Sequence, residues 1–353
     1  MTVKKSFSLF ILIVAVSIIG VLFFSIDSST FDLLKQANSN LLFLAVALVG
    51  VVWFLDALKF VCLTRSAGEK LSIRNTFPVV MINYFGSAIT PMQSGGGPFQ
   101  VYLLYKKGVP VGKSVAITIV RTLQIIFLLA LVLPFSLFHE PEFLARHIVL
   151  KWFVLYVLIF ISIAGAFLMI SFVRPDWIKK WSNWIIVKLN KIGIIRSTGI
   201  LRAARRVNRE IDCYSENIRV FFSTGRKWFI ASIFVAVLHL LVYMSIMPCL
   251  IIAIGSEVKF MQCILAESLL LFLLYFVPTP GSSGAAEGGA TAVFALFVPW
   301  SLAGILAVTW RVLSEYTGVA LGSLMVIKQF GWGGADKLLK EEKKKLEDGC
   351  AKE

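Results

Sequence analysis

Two long apolar stretches of this chain, residues 76–104 and 259–298, are each broken near the middle by proline, glycine and serine. The first break reads Ile89-Thr90-Pro91-Met92-Gln93-Ser94-Gly95-Gly96-Gly97-Pro98, and the second Val277-Pro278-Thr279-Pro280-Gly281-Ser282-Ser283-Gly284. Proline removes a backbone donor and ends a helix, and glycine permits dihedrals that no helix uses. Inside a bilayer such backbone survives only where protein or water surrounds it. Few folds accept two such interruptions. Each stretch is therefore expected to enter the membrane as a helix, turn at the break and return as a re-entrant hairpin.

The rest of the chain has the runs that make this a membrane question. About 20 apolar residues cross roughly 30 Å of hydrocarbon, and the unbroken candidates are 6–26, 41–64, 114–138, 148–172, 228–254 and 301–327. The hydrophobic share is 58%, with only 16% of residues charged, far from a globular chain. The first run is too long for a signal peptide core and lacks a small-residue cleavage site, so it reads as the first span. The fold class expected is an all-α integral membrane protein.

Charge placement orients the spans. With the N-terminus cytoplasmic and both hairpins returning to the side they left, 28 of the 35 Lys and Arg fall on the cytoplasmic face and four opposite. That bias obeys the positive-inside rule. The net charge of +15 points to anionic lipid of the inner leaflet as a partner and away from nucleic acid. The segment 173–227 is basic and flanked by tryptophans, as expected of interfacial helices or a linker; 328–353 reads as a charged cytoplasmic tail. A multi-pass cell-membrane location with both termini cytoplasmic follows.

The two broken stretches also match each other. Thr90-Pro91 pairs with Thr279-Pro280, Ser94-Gly95 with Ser283-Gly284, and Val109-Pro110 with Val298-Pro299 at the same spacing. Arg121 and Arg311 follow at nearly matched positions, the second displaced by one residue. Since the hairpins are expected to enter from opposite faces, the repeat is inverted, each half holding three spans and one hairpin. The halves divide as 1–138, with its hairpin at about 76–104, and a second repeat made of 139–172 (outer loop and first span) and 228–327, with its hairpin at about 259–298. Inverted repeats around broken helices, with a site at the repeat interface, are an architecture of secondary transporters.

At these motifs the chain resembles the membrane module of the lysylphosphatidylglycerol synthetase/flippase family. The resemblance rests on Thr90 to Gly96 with Tyr102-Leu103-Leu104 and Gly108-Val109, on Pro278 to Glu287, and on Arg311 with Tyr316 and Gly318. It implies a lipid flippase. In two-part members a soluble synthase domain follows this module; here 26 residues follow the last span, so a stand-alone member without lysyl transfer to lipid is expected.

Ionisable residues within spans are costly and face a cavity or a partner. Arg121 and Arg311 are candidates to line a shared cavity and hold lipid phosphate, because guanidinium offers paired donors to phosphate oxygens. Structurally, Arg311 and Glu315 could satisfy each other at i,i+4, whereas Arg121 has no acid at that spacing. Glu287 either caps the return helix of the second hairpin, or pairs with an arginine or an amino headgroup, or carries a proton. Glu267 is a candidate for a partner or proton role, and Asp56 for local pairing with Lys59. Ser94, Gly95, Gly96, Ser283 and Gly284 could present backbone N–H groups to a headgroup, or let two helix tips pack closely; Thr90, Pro91, Thr279 and Pro280 break the hairpins.

Other chemistries find little footing. Gly108 to Ser114 imitates a phosphate-binding loop but has three residues between its glycines where the motif needs four. The three histidines and five cysteines show no ligand-like grouping, so no metal or other cofactor is expected, and no catalytic residues are identified. The function expected is translocation of an anionic or aminoacylated phospholipid, or of a polyprenyl-phosphate lipid, between leaflets. The alternatives are a membrane-embedded transferase acting on lipid-linked substrates, or an accessory subunit of a lipid synthase. A homo-oligomer or a partner synthase fits either way.

Overall fold

The computed structural model describes residues 3–25, 37–91, 93, 95–139 and 225–329, with six single positions between 152 and 163. Most of the expected span at 148–172, the basic segment up to residue 224, most of the 328–353 tail and Ser94 lie outside the described residues.

Within them every extended element is helical: α1 (Val3–Ser25), α2 (Ser39–Ser66), α3 (Ile73–Ala88), α4 (Gly96–Lys106), α5 (Val111–His139), α6 (Arg226–Met244), α7 (Ile246–Ala253), α8 (Phe260–Leu274), α9 (Ala285–Phe294) and α10 (Trp300–Arg311). α10 runs into a π-helical turn, Val312–Tyr316, and helix continues over 317–329. Four stretches, Val3–Ser25, Ser39–Ser66, Val111–Leu129 and Arg226–Ala253, are long and apolar enough to cross a membrane. α1 shows why such helices belong in lipid: Leu12, Val16, Ile19, Phe23 and Phe24 all face outward.

Local sequence explains the boundaries. Asn38 starts α2 by accepting the Asn40 N–H at 3.0 Å, as a helix-capping side chain does. α2 ends before Gly68, whose φ of +79° is the left-handed conformation that glycine adopts without penalty. Pro91 and Pro280 separate α3 from α4 and α8 from α9, where the sequence placed the interruptions.

The two largest apolar cores among the described residues divide the bundle. One joins the C-terminal half of α2 (Ala57, Phe60, Leu63) to α3, α4 and the start of α5. The other joins the N-terminal half of α2 (Ala45, Val49, Val52) to α7, α8, α9 and α10. α2 is the shared strut, and Trp53 packs against both cores. In the first half, Lys107 beyond α4 donates to Asn75 at the start of α3 at 3.3 Å, and Lys113 on α5 pairs with Glu69 at 2.7 Å. The outer ends of α3 and α4 thus lie side by side, and their inner ends meet the break.

Candidate functional site

The two breaks touch. Pro91 and Pro280 form an isolated antiparallel bridge, the Gly281 N–H points to the Thr90 carbonyl at 3.4 Å, and the Gln93 amide donates to the Ser282 hydroxyl at 3.3 Å. Gln93 and Ser282 each stand two residues past the bridging prolines and share a left-handed backbone, with φ of 54° and 57°. Non-glycine residues rarely adopt it. Its recurrence at matched positions means that the two breaks repeat a backbone shape as well as a sequence.

Each break is stabilised by its own hydroxyls. Thr90 Oγ1 accepts the Gly95 N–H at 2.7 Å and donates to the Gly86 carbonyl at 2.9 Å. Thr279 Oγ1 donates to the Ser283 carbonyl at 2.9 Å, and Ser282 Oγ to that of Leu274 at 2.6 Å. Gly96 is a close-approach residue: a Cβ there would lie 2.1 Å from Asn83 Oδ1 and 2.6 Å from Ser87 Oγ. Gly284, at φ +86°, starts α9.

Beside the meeting point lies a cavity of about 340 Å³. Arg121 and Arg311 both line it, with Asp56 and Glu315, the amides of Asn83, Gln93 and Gln100, and the phenols of Tyr84, Tyr243 and Tyr275. Arg121 reaches across to α2, donating to Asp56 through Nη2 at 2.5 Å and through Nε at 3.3 Å. Asp56 Oδ1 also pairs with Lys59 at 2.9 Å, and Lys59 is completely buried. Such twin contacts are the strong form of a carboxylate–guanidinium pair.

Arg311 is held differently. Its Nη2 donates to the Gly281 carbonyl at 2.6 Å. Glu287 lies 3.8 Å from its Nε and Glu315 3.9 Å from its Nη1. Glu287, itself fully buried, accepts the Gly284 N–H at 2.5 Å in a capping arrangement and also the hydroxyl of Tyr316. Lys59, Arg121 and Arg311 thus face Asp56, Glu287 and Glu315, three cations against three carboxylates. The formal charges cancel.

The candidates therefore separate. Arg121 and Arg311 share the cavity. Glu287 stands behind Arg311, serving at once as helix cap and as ion partner. Gly95, Gly96, Ser283 and Gly284 shape the breaks; Thr90, Pro91 and Pro280 take part in the contact between them, while Thr279 braces its own break. Glu267 is fully buried and away from the cavity lining. Asp56 pairs with Lys59 as its spacing suggested, and in addition holds Arg121, 65 residues away. Sequence reasoning passed over Asn83, Gln100 and the three tyrosines. Their signal was a polar group within an otherwise apolar stretch, of the kind that hydrogen-bonds between helices.

The π-helical turn directly follows Arg311. Between Pro299 and Arg311 there is one residue more than between Pro110 and Arg121. A widened turn accommodates an added residue without ending a helix, and it lies beside the place where the repeat loses register.

The chain is similar to known proteins over most of its length. A family described as the lysylphosphatidylglycerol synthase TM region matches residues 9–322. A UPF0104 membrane protein of Archaeoglobus fulgidus is 24% identical over 320 residues, covering 89% of this chain and 94% of that protein.

Proposed function

The chain belongs to the lysylphosphatidylglycerol synthase TM region family, and from that premise we propose that this multi-pass membrane protein moves a phospholipid or polyprenyl-phosphate lipid between leaflets. The observation that carries the reading is the pair of arginines in one cavity, beside the contact of two broken helices, within an apolar bundle. In this reading the two breaks are tips of re-entrant hairpins in an inverted repeat, the termini are cytoplasmic, and the basic loops rest on the anionic inner leaflet.

The cavity suits a headgroup better than a bare chain. Acyl tails need no site, because the bilayer already solvates them, whereas a phosphate must exchange water for fixed donors. Arg121 uses Nε and Nη2 on Asp56, which leaves its Nη1 edge for a phosphate oxygen. Because Asp56 and Glu315 line the same space, a headgroup carrying an amine beside its phosphate would find a partner for each sign. Among the expected cargoes this favours aminoacylated or amine-bearing phospholipids over simple anionic ones.

The test is reconstitution into vesicles with a lipid whose headgroup can be quenched chemically from one side. Leaflet exchange without added nucleotide is expected. Arg121→Gln and Arg311→Gln should each slow it at least tenfold, the loss of about one charge-assisted contact worth 1.5–3 kcal/mol. Undiminished exchange with both arginines replaced would rule the reading out.

A further inference from the structure

Glu267 plays no part in the arrangement above and is hard to explain as packing. It lies on α8, a mostly apolar helix in which it is the single charged residue, and is 0% exposed. Among the described residues no cation pairs with it. The indole N–H of Trp310 approaches the carboxylate, yet neither that N–H nor either carboxylate oxygen completes a hydrogen bond. An ionised carboxylate so placed is costly, and such groups within membranes mark ion or proton pathways.

The neighbouring helices offer it no countercharge. On α5, Arg121 is committed to Asp56. On α9, Glu287 is committed to Gly284, Tyr316 and Arg311. On α7, Cys249 donates to the Leu41 carbonyl. One turn back on α8 stands Cys263, and from α6 comes Tyr243; these are the titratable groups that a charge on Glu267 would reach.

Tyr243 also supplies a route. It lines the cavity, its ring meets that of Trp310 edge-on with centroids 6.4 Å apart, and it feels the charges of Glu267, Glu315 and Arg311 together. A buried acid, an indole, a phenol and a polar cavity thus stand in sequence. Glu267 is also seven residues before Leu274, whose carbonyl accepts the Ser282 hydroxyl at the break. A change at the acid and a change at the tip therefore act on the same short helix.

We propose that Glu267 is a proton-carrying site, binding a proton from water on one side of the membrane and releasing it on the other, and so coupling a proton gradient to lipid movement. Only the O–H bond of the carboxylic acid forms and breaks; the gradient is the energy source. The coupling half rests on the translocase reading, whereas the proton site stands on the geometry of Glu267 alone.

Two measurements separate these halves. In lipid nanodiscs at neutral pH, infrared spectroscopy of the full chain should show the carbonyl band of a protonated carboxylic acid. Glu267→Gln should remove it and Glu267→Asp should retain it at a shifted frequency. In vesicles, an imposed pH gradient should accelerate lipid exchange by the wild-type chain. Glu267→Gln should lose that acceleration while keeping exchange without a gradient, and Glu267→Asp should recover part of it. A missing band, or a band that survives in Glu267→Gln, overturns the proton site. A gradient response unchanged in Glu267→Gln overturns the coupling. Absence of any lipid exchange by the wild type would instead count against the translocase reading, leaving the infrared result to decide the proton site. Should Glu267→Gln fail to fold, the shifted band and partial response of Glu267→Asp still decide the question.

Discussion

Asp56 carries two cations, and removing its charge should be among the most damaging single changes in the bundle. Its carboxylate lies 2.9 Å from Lys59 and 2.5 Å from Arg121. At an effective dielectric of about 20, each such pair is worth roughly 6 kcal/mol of direct attraction. Desolvation of the three groups offsets much of that, so the net cost of breaking the buried pair is about 3–5 kcal/mol. Asp56→Asn keeps the shape and discards the charge. It leaves Lys59, fully buried and with no second ion partner among the described residues, facing Arg121. The expected result is a markedly lower unfolding temperature in detergent, followed by fluorescence-detected size exclusion after heating. Lys59→Met in the same chain should then recover a substantial part of the loss, because the stranded ammonium is gone while its apolar stem is retained. Lys59→Met alone should cost less than Asp56→Asn alone, since Arg121 still satisfies the carboxylate. If Asp56→Asn is as stable as the wild type, or if Lys59→Met adds to the damage instead of relieving it, the charge-balance reasoning fails.

Two further changes test the breaks by the same thermal assay. Gly96→Ala puts a methyl group against Asn83 and Ser87, and overpacking of this kind should cost about 1–3 kcal/mol; pairing it with Ser87→Gly should relieve part of the strain. Gly284→Ala asks a residue with a Cβ to hold φ +86°, so a loss of about 1–2 kcal/mol is expected, without the clash that Gly96→Ala produces, since the nearest atom to its Cβ lies 3.6 Å away.

The breaks were legible in the sequence because proline and glycine act locally. Thr-Pro followed by a glycine-rich run ends a helix wherever it stands, and two copies at one spacing raise the inference from a loop to a repeat. Long apolar helices were legible for a similar reason: their length answers to the bilayer. The partner of Arg121 was not. Asp56 is 65 residues away on another helix, and only packing of α2 against α5 brings them together. Glu315 and Arg311 were paired from their spacing, but the π-helical turn between them widens that spacing, and the Gly281 carbonyl becomes the closer contact of Arg311. Glu287 was left open between cap, ion partner and proton carrier. It is cap and ion partner at once, because a carboxylate has two oxygens: Oε2 accepts the Gly284 N–H while Oε1 faces Arg311 and Tyr316.

The link from Arg311 to the broken tip carries a mechanical consequence. Its Nη2 holds the carbonyl of Gly281, whose own N–H reaches toward Thr90 of the other break, and the next residue, Ser282, accepts from Gln93. The guanidinium thus braces the segment through which the two breaks touch. Nη2 carries two N–H bonds and Gly281 takes one, so a phosphate that pulls the guanidinium toward the cavity weakens the hold on Gly281 without having to replace it. The contact it weakens is short and partly strained: a single antiparallel bridge between prolines, one 3.3 Å side-chain hydrogen bond, and two non-glycine residues held at positive φ. Strain of this kind costs of order 1–3 kcal/mol for each residue and persists only where the surroundings enforce it. Movement of the Arg311 guanidinium and parting of the breaks are therefore linked through one side chain.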